Sequence, residues 1–270
     1  MPFRDDELVQ FAADGTSPLP VTDATWIVEN EGARIWCASY GEGAPVILLH
    51  GGLGHSGNWN HQVPALVDAG YRAIVVDSRG HGRSTRDGQQ PYSYDLMASD
   101  VLVVMDRLGV TKAAIIGWSD GACTGLVLAR RHPERVAGVF FFACNMDSSG
   151  TKPFVGTPVI DRCFSRHVAD YAALSTTPDD FKAFSEAVGL MQRTQPDYSA
   201  ADLAEIDVPV LVIQSADDEF IRIEHAEYLA GALPQGRLRV LEGVTHFAPL
   251  QRPALFNEAI ADFLATLPSR

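Results

Sequence analysis

The chain has 270 residues, 46% of them hydrophobic and 20% charged, with a formal net charge of −13 at pH 7. That length suits one large α/β domain or one domain carrying an insertion. So acidic a chain repels phosphate backbones and anionic lipid surfaces, which argues against nucleic acid or a membrane as partner.

No apolar stretch approaches the ~20 residues that span a bilayer. The opening MPFRDDELVQFAADG lacks the apolar core of a secretory signal. Cys37, Cys123, Cys144 and Cys163 are scattered, with no C-x-x-C spacing. Neither a zinc site nor a disulfide framework is expected from them, and a reduced, cytoplasmic setting is the simplest reading.

Residues 24–40, TWIVENEGARIWCASYG, read as two β runs around a turn at Asn30-Glu31-Gly32. APVILLHGG is a short apolar run that stops at glycines, as a buried parallel strand does. YRAIVVDSRGHGRS repeats that pattern. SYDLMASDVLVVMDRLGV is predicted helical, opened by a serine cap and closed near Gly109. KAAIIGWS follows as a strand, DGACTGLVLARRHPE as a helix with basic residues at its end, and RVAGVFFFACN as another strand. This alternation predicts a doubly wound, mostly parallel sheet with helices on both faces.

From about Asp147 to Ala204 the rhythm changes. VIDRCFSRHVADYAAL and DDFKAFSEAVGLMQRT read as amphipathic helices, and no buried-strand run intervenes. Residues 147–204 are therefore expected to form a helical insertion over the sheet's C-terminal edge, between core segments 1–146 and 205–270. The sheet pattern resumes with VPVLVIQS, a helix at IEHAEYLAGAL and a strand at GRLRVLEG. A final helix places Phe256, Ile260, Phe263, Leu264 and Leu267 on one stripe.

In an open parallel sheet, ligands bind beyond the carboxyl ends of the strands. Four loops there carry what acyl transfer requires. Ser119, in GWSDGA, stands between two glycines at a strand-to-helix turn, where it is expected to be an exposed nucleophile. The helix start beneath it offers free N–H groups to a developing oxyanion, Asp120 among them. SADDEF, after a late strand, offers Asp217 and Asp218 as carboxylates that could orient a histidine. GVTHFAPL offers His246 as that histidine. LLHGGLGHSGNW brings glycine backbone close enough to donate a second N–H to a substrate oxygen. The chain order serine, aspartate, histidine is the order of a nucleophile-elbow architecture.

On LLHGGLG, VVDSRGHGRS, GWSDGA, DD and THF, the chain resembles the α/β-hydrolase superfamily over nearly its full length. The resemblance implies an eight-stranded sheet with a small helical cap, Ser119 as nucleophile and His246 as base. It favours Asp218 over Asp217 as the acid, although Ser215 stands where many members have glycine. It places the early oxyanion donor at Gly52, with Leu53 as second choice.

GWSDG is also similar to valacyclovir-hydrolase-like members, in which an acid at the position of Asp120 pairs with a substrate amino group. The HGGLG loop lacks the proline found in those members. Trp118, Leu53 and Asn145 are expected to line the substrate pocket, and Phe154, Phe164 and Met191 are candidates for an apolar acyl pocket. His55 and His81 read as structural, and Cys123 as core.

The expected activity is cleavage of a small-molecule carboxylic ester by a monomer or homodimer needing no cofactor or metal. A carbon–carbon hydrolase, a lactonase or a perhydrolase would use the same triad. A small-molecule receptor is the non-enzymatic alternative. Dehalogenases and epoxide hydrolases of this superfamily carry aspartate at the elbow, which Ser119 argues against.

Overall fold

A computed structural model describes residues 6–268; the outermost residues of the anticipated core, 1–5 and 269–270, lie outside them. Eight strands form one sheet: β1 (Thr25–Asn30), β2 (Ala33–Tyr40), β3 (Ala44–Leu49), β4 (Tyr71–Val76), β5 (Ala113–Trp118), β6 (Val136–Phe142), β7 (Val210–Ser215) and β8 (Gly236–Leu241). The α-helices are α1 (Asp6–Asp14), α2 (Gln62–Asp68), α3 (Tyr94–Arg107), α4 (Asp120–Arg131), α5 (Pro158–Leu174), α6 (Phe181–Thr194), α7 (Ala200–Ala204), α8 (Ile223–Ala232), α9 (Ala248–Gln251) and α10 (Pro253–Ala265).

The strand order is β1-β2-β4-β3-β5-β6-β7-β8. β1 and β2 form an antiparallel hairpin that joins β4 antiparallel, and every pairing from β4 through β3 to β8 is parallel. The hairpin exists because Glu31-Gly32 turns the chain in two residues, so Asn30 faces Ala33.

All six residues of β5, AAIIGW, are buried, which this apolar sequence tolerates because helices cover both faces. Alternation divides the core in two. Ile47, Leu49 and Ile115 point to the layer that holds Val101, Leu126 and Leu229 of α3, α4 and α8. Val46, Leu48, Ala114 and Ile116 point to the layer that holds Val63 of α2 and Phe256, Ile260 and Phe263 of α10. Each fully buried Val, Leu, Ile or Phe among these stabilises the fold by about 1.5–3 kcal/mol. Leu267, the last of the apolar stripe, is only partly buried.

α3 starts where Ser93 accepts a hydrogen bond from the Leu96 N–H. Between β6 and β7 the chain runs through α5, α6 and α7. The extended pairing in this stretch, among the described residues, is an isolated bridge from Thr151 to Ile221. No helix of the described residues is long and apolar enough to cross a membrane.

Candidate active site

The loops after β3, β5, β6 and β7 and the turn after β8 open on one cavity of about 770 Å³. Ser119 stands at its wall with φ 52° and ψ −120°, a left-handed conformation that costs a non-glycine residue about 1–3 kcal/mol. Its N–H is tied to the Phe142 carbonyl at 2.8 Å, and its own carbonyl accepts from Ala122 and Cys123 at 2.7 and 3.1 Å.

The flanking glycines are there for space. A Cβ on Gly121 would lie 2.0 Å from the Leu49 carbonyl oxygen, and one on Gly117 2.4 Å from Ala122 Cα. The G-x-S-x-G spacing is thus what lets α4 start directly against β3 and β5.

His246, from the turn after β8, lines the same cavity. Its Nδ1 lies 3.0 Å from Asp218 Oδ2. The other carboxylate oxygen accepts the N–H groups of Phe220 and Ile221, each at 2.8 Å. Asp218 is 2% exposed, whereas Asp217 faces outward. Burial alone would lower the His246 pKa. The Asp218 charge and hydrogen bond, helped by Glu219 and Asp120, outweigh it and hold the pKa above the ordinary 6.5.

Gly52, Leu53, Trp118, Asp120 and Asn145 also line the cavity. Leu53 sits at φ 65°. The Asp120 N–H begins α4, so it has no intrahelical acceptor. The Asp120 carboxylate is not free: Tyr94 Oη donates to Oδ1 at 2.8 Å, and Gln192 Nε2 reaches both oxygens at 3.2 and 3.0 Å. Burial raises its pKa, against the pull of those donors and of His246.

Phe154 and Phe164 face the cavity together with Ile160, Phe220 and Phe247, but Met191 is 2% exposed within the core. Cys123 is fully buried, its sulfur 2.8 Å from that of Cys144. His55 caps the short turn at residues 56–59. His81 packs edge-on against Phe184, with ring centroids 4.7 Å apart.

Three residues of this site were not singled out from the sequence. Glu219 accepts the His246 backbone N–H at 2.9 Å, and its place directly after Asp218 was the available signal. Tyr94 and Gln192 carry no such signal, since their shared partner Asp120 is 26 and 72 positions away. Among the described residues, no cluster of three or more histidine, cysteine, aspartate or glutamate side chains is arranged to hold a metal ion.

The model of a family described as alpha/beta hydrolase fold matches residues 44–161. A protein of Caulobacter vibrioides named "Putative carbamate hydrolase RutD" is 30% identical over 253 residues, covering 82% of this chain and 91% of the relative. A 2-hydroxy-6-oxononadienedioate/2-hydroxy-6-oxononatrienedioate hydrolase of Pseudomonas putida is 27% identical over 257 residues, covering 83% and 89%. Among solved structures, Est816, described as an N-acyl homoserine lactone degrading enzyme, superposes with a TM-score of 0.69 at 28% identity, over 88% of this chain and 99% of that one. With likeness of this extent to relatives named as hydrolases, and with its sheet order, the chain belongs to the α/β-hydrolase superfamily.

Proposed function

We propose that the chain is a serine hydrolase that cleaves a carboxylic ester, or a related acyl bond, of a small molecule through an acyl-enzyme on Ser119. The observation that carries this reading is the 3.0 Å contact of His246 Nδ1 with a buried aspartate, in a cavity that also exposes the strained Ser119. A carboxylate only accepts, so Nδ1 carries the proton and Nε2 keeps its lone pair.

Nε2 takes the Ser119 Oγ proton as Oγ attacks the substrate carbonyl. The oxyanion rests on the N–H groups of Gly52 and Asp120, a pair of donors of which each is worth roughly 3 kcal/mol. The imidazolium then protonates the leaving alcohol. Water, activated by the same nitrogen, releases the acid. Asp218 stays ionised and steadies the imidazolium. Trp118, Leu53 and Asn145 contact the substrate, and residues 147–204 act as the cap. A cavity of about 770 Å³ suits a small molecule.

Carbamates and N-acyl homoserine lactones, for which two of the relatives are named, contain acyl bonds that the same machinery would open. They favour extending the substrate panel to carbamates and lactones. The Pseudomonas putida relative adds a carbon–carbon substrate to it.

The test is a panel of p-nitrophenyl esters of varied acyl length, α-amino esters, a homoserine lactone, a carbamate and a 2-hydroxy-6-oxo dienoate, run on the wild type and on Ser119→Ala. The expected result is turnover of esters, reduced at least ~10⁴-fold by Ser119→Ala without loss of fold. Ester turnover that survives the substitution refutes the reading. Turnover of the dienoate alone replaces it with carbon–carbon cleavage, and binding without turnover replaces it with a receptor.

A further inference from the structure

We propose that Gln192, on α6, is a positioning residue for the oxyanion site. It clamps the Asp120 side chain beneath the Gly52 turn, so that the two backbone donors keep their spacing. The inference rests on the acyl-enzyme reading above, because it concerns the donors that reading assigns.

Gln192 Nε2 spans both Asp120 carboxylate oxygens, at 3.2 and 3.0 Å, while Tyr94 Oη holds Oδ1 from α3 at 2.8 Å. Asp120 is thus fixed from two helices that meet on it from opposite segments of the chain. The same group touches the other half of the site. A Cβ on Gly52 would lie 2.5 Å from Gln192 Nε2 and 2.6 Å from Asp120 Oδ2. The amide and the carboxylate therefore fill the space where a side chain on residue 52 would be.

Asp120 contributes one donor through its backbone and braces the residue that contributes the second through its side chain. The two donors come from loops after different strands, β3 and β5, whose pairing ends at Leu49 and Gly117, short of either donor. The side-chain contact continues that alignment beyond the ladder, between the donors themselves. Losing the bond from Gln192 leaves the buried Asp120 carboxylate, 5% exposed, with Tyr94 as its remaining hydrogen-bond donor. An under-bonded buried carboxylate moves or takes a proton, and either change disturbs the turn that it supports.

The ionisable groups that act on the Asp120 carboxyl are Tyr94 from α3, Cys123 from α4 and His246 from the turn after β8. From α6, Arg193 lines the same cavity, but the contact with Asp120 is the uncharged Gln192 amide. Replacing that amide by a carboxyl therefore installs a group that can donate to Asp120 only when protonated. Two carboxyls sharing one site hold a proton well above the usual range.

The experiment measures kcat and KM with an activated ester for the wild type, Gln192→Leu and Gln192→Glu across pH 5 to 9, with thermal unfolding of each. Labelling by a fluorophosphonate is followed in parallel. Gln192→Leu is expected to lower kcat about tenfold with KM within twofold, a smaller loss than the ~10²–10³ for removing a donor outright. Gln192→Glu is expected to approach wild-type activity at the acid end and to fall behind it as pH rises. That trend is read as the ratio of variant to wild type, with the His246 titration of each protein followed by NMR, because charge at Asp120 acts on His246.

A ratio independent of pH, or a wild-type kcat in Gln192→Leu, overturns the proposal. A loss confined to KM also overturns it, in favour of direct substrate contact. A wild type that neither turns over esters nor takes the label at Ser119 sinks the acyl-enzyme reading itself, whereas normal wild-type behaviour with unaffected variants sinks only the role of Gln192.

Discussion

His246 and the pair His50–His81 are all buried near the same sheet edge, each side with an aspartate nearby, yet they differ in charge behaviour. His50 and His81 lie with ring centroids 5.2 Å apart. His50 Nδ1 meets the Gly51 carbonyl at 2.8 Å, and its Nε2 accepts the Ser78 N–H at 3.0 Å. His81 Nδ1 meets the Arg79 carbonyl at 2.9 Å. Burial pushes the two down to about 4 and about 3.

Asp77 attracts both, but its carboxylate is already bonded to the Ser56 and Arg83 N–H groups and to the Arg83 guanidinium. Asp218 instead keeps one oxygen for His246. A carboxylate in the neighbourhood does not make a buried imidazole basic; a lone pair aimed at its N–H does. His50 and His81 shape loops, while His246 is equipped to take a proton.

The largest way to break this comparison is Asp218→Asn. An amide there can present its oxygen or its NH₂ to Nδ1, and it removes the charge that holds the correct tautomer. We expect kcat to fall about 10⁴-fold with the fold retained, and the residual His246 pKa, followed by NMR, to drop toward those of His50 and His81. A small kcat loss would mean that the aspartate is structural.

A second contrast appears in stability. His50, His81 and His167, the last also lowered to about 4 by burial, are neutral in the folded chain. The unfolded chain takes up their protons near pH 6.5, so stability is full above that value and falls as pH drops toward 4. Each contributes a slope of roughly 1.4 kcal/mol per pH unit. His246 has the opposite sign: its raised pKa favours the fold below the ordinary value, and that contribution fades as pH rises. Burial lowers His61 and His225 as well, so five lowered histidines stand against one raised, and the melting temperature is expected to decline steadily from pH 6.5 to 4. His81→Phe, which keeps the contact with Phe184, is expected to make the decline shallower by roughly 1.4 kcal/mol per pH unit while leaving kcat close to that of the wild type. A flat profile would show that these histidines are hydrated.

Much of this layout is legible along the chain. Parallel strands buried on both faces become apolar runs, and the runs end in glycine because helices and loops pack closely there; Gly117 and Gly121 carry that signal around Ser119. Chain order then brings Asp218 and His246 to the edge where β5 ends. The clamp on Asp120 is not legible. Gln192 is one polar residue on an amphipathic helix, and such residues usually face water. Only the packing of α6 against the Gly52 turn reveals what it touches. Asp77 is hidden in the same way, because its burial and its Arg83 partner depend on the loop after β4 folding back on itself. Residue type alone leaves Asp217 and Asp218 equivalent; the resemblance favours Asp218, and the turn after β7 gives the physical reason by burying Asp218 against His246 and turning Asp217 outward.

The central claim is that Asp218 makes His246 the base that activates Ser119. It is tested most directly by the rate of fluorophosphonate labelling as a function of pH, with the adduct located by peptide mass spectrometry. The account predicts a single adduct on Ser119, forming at a rate that rises through a pKa above 6.5. No adduct, an adduct elsewhere, or a rate governed by a group titrating near 4 would contradict it.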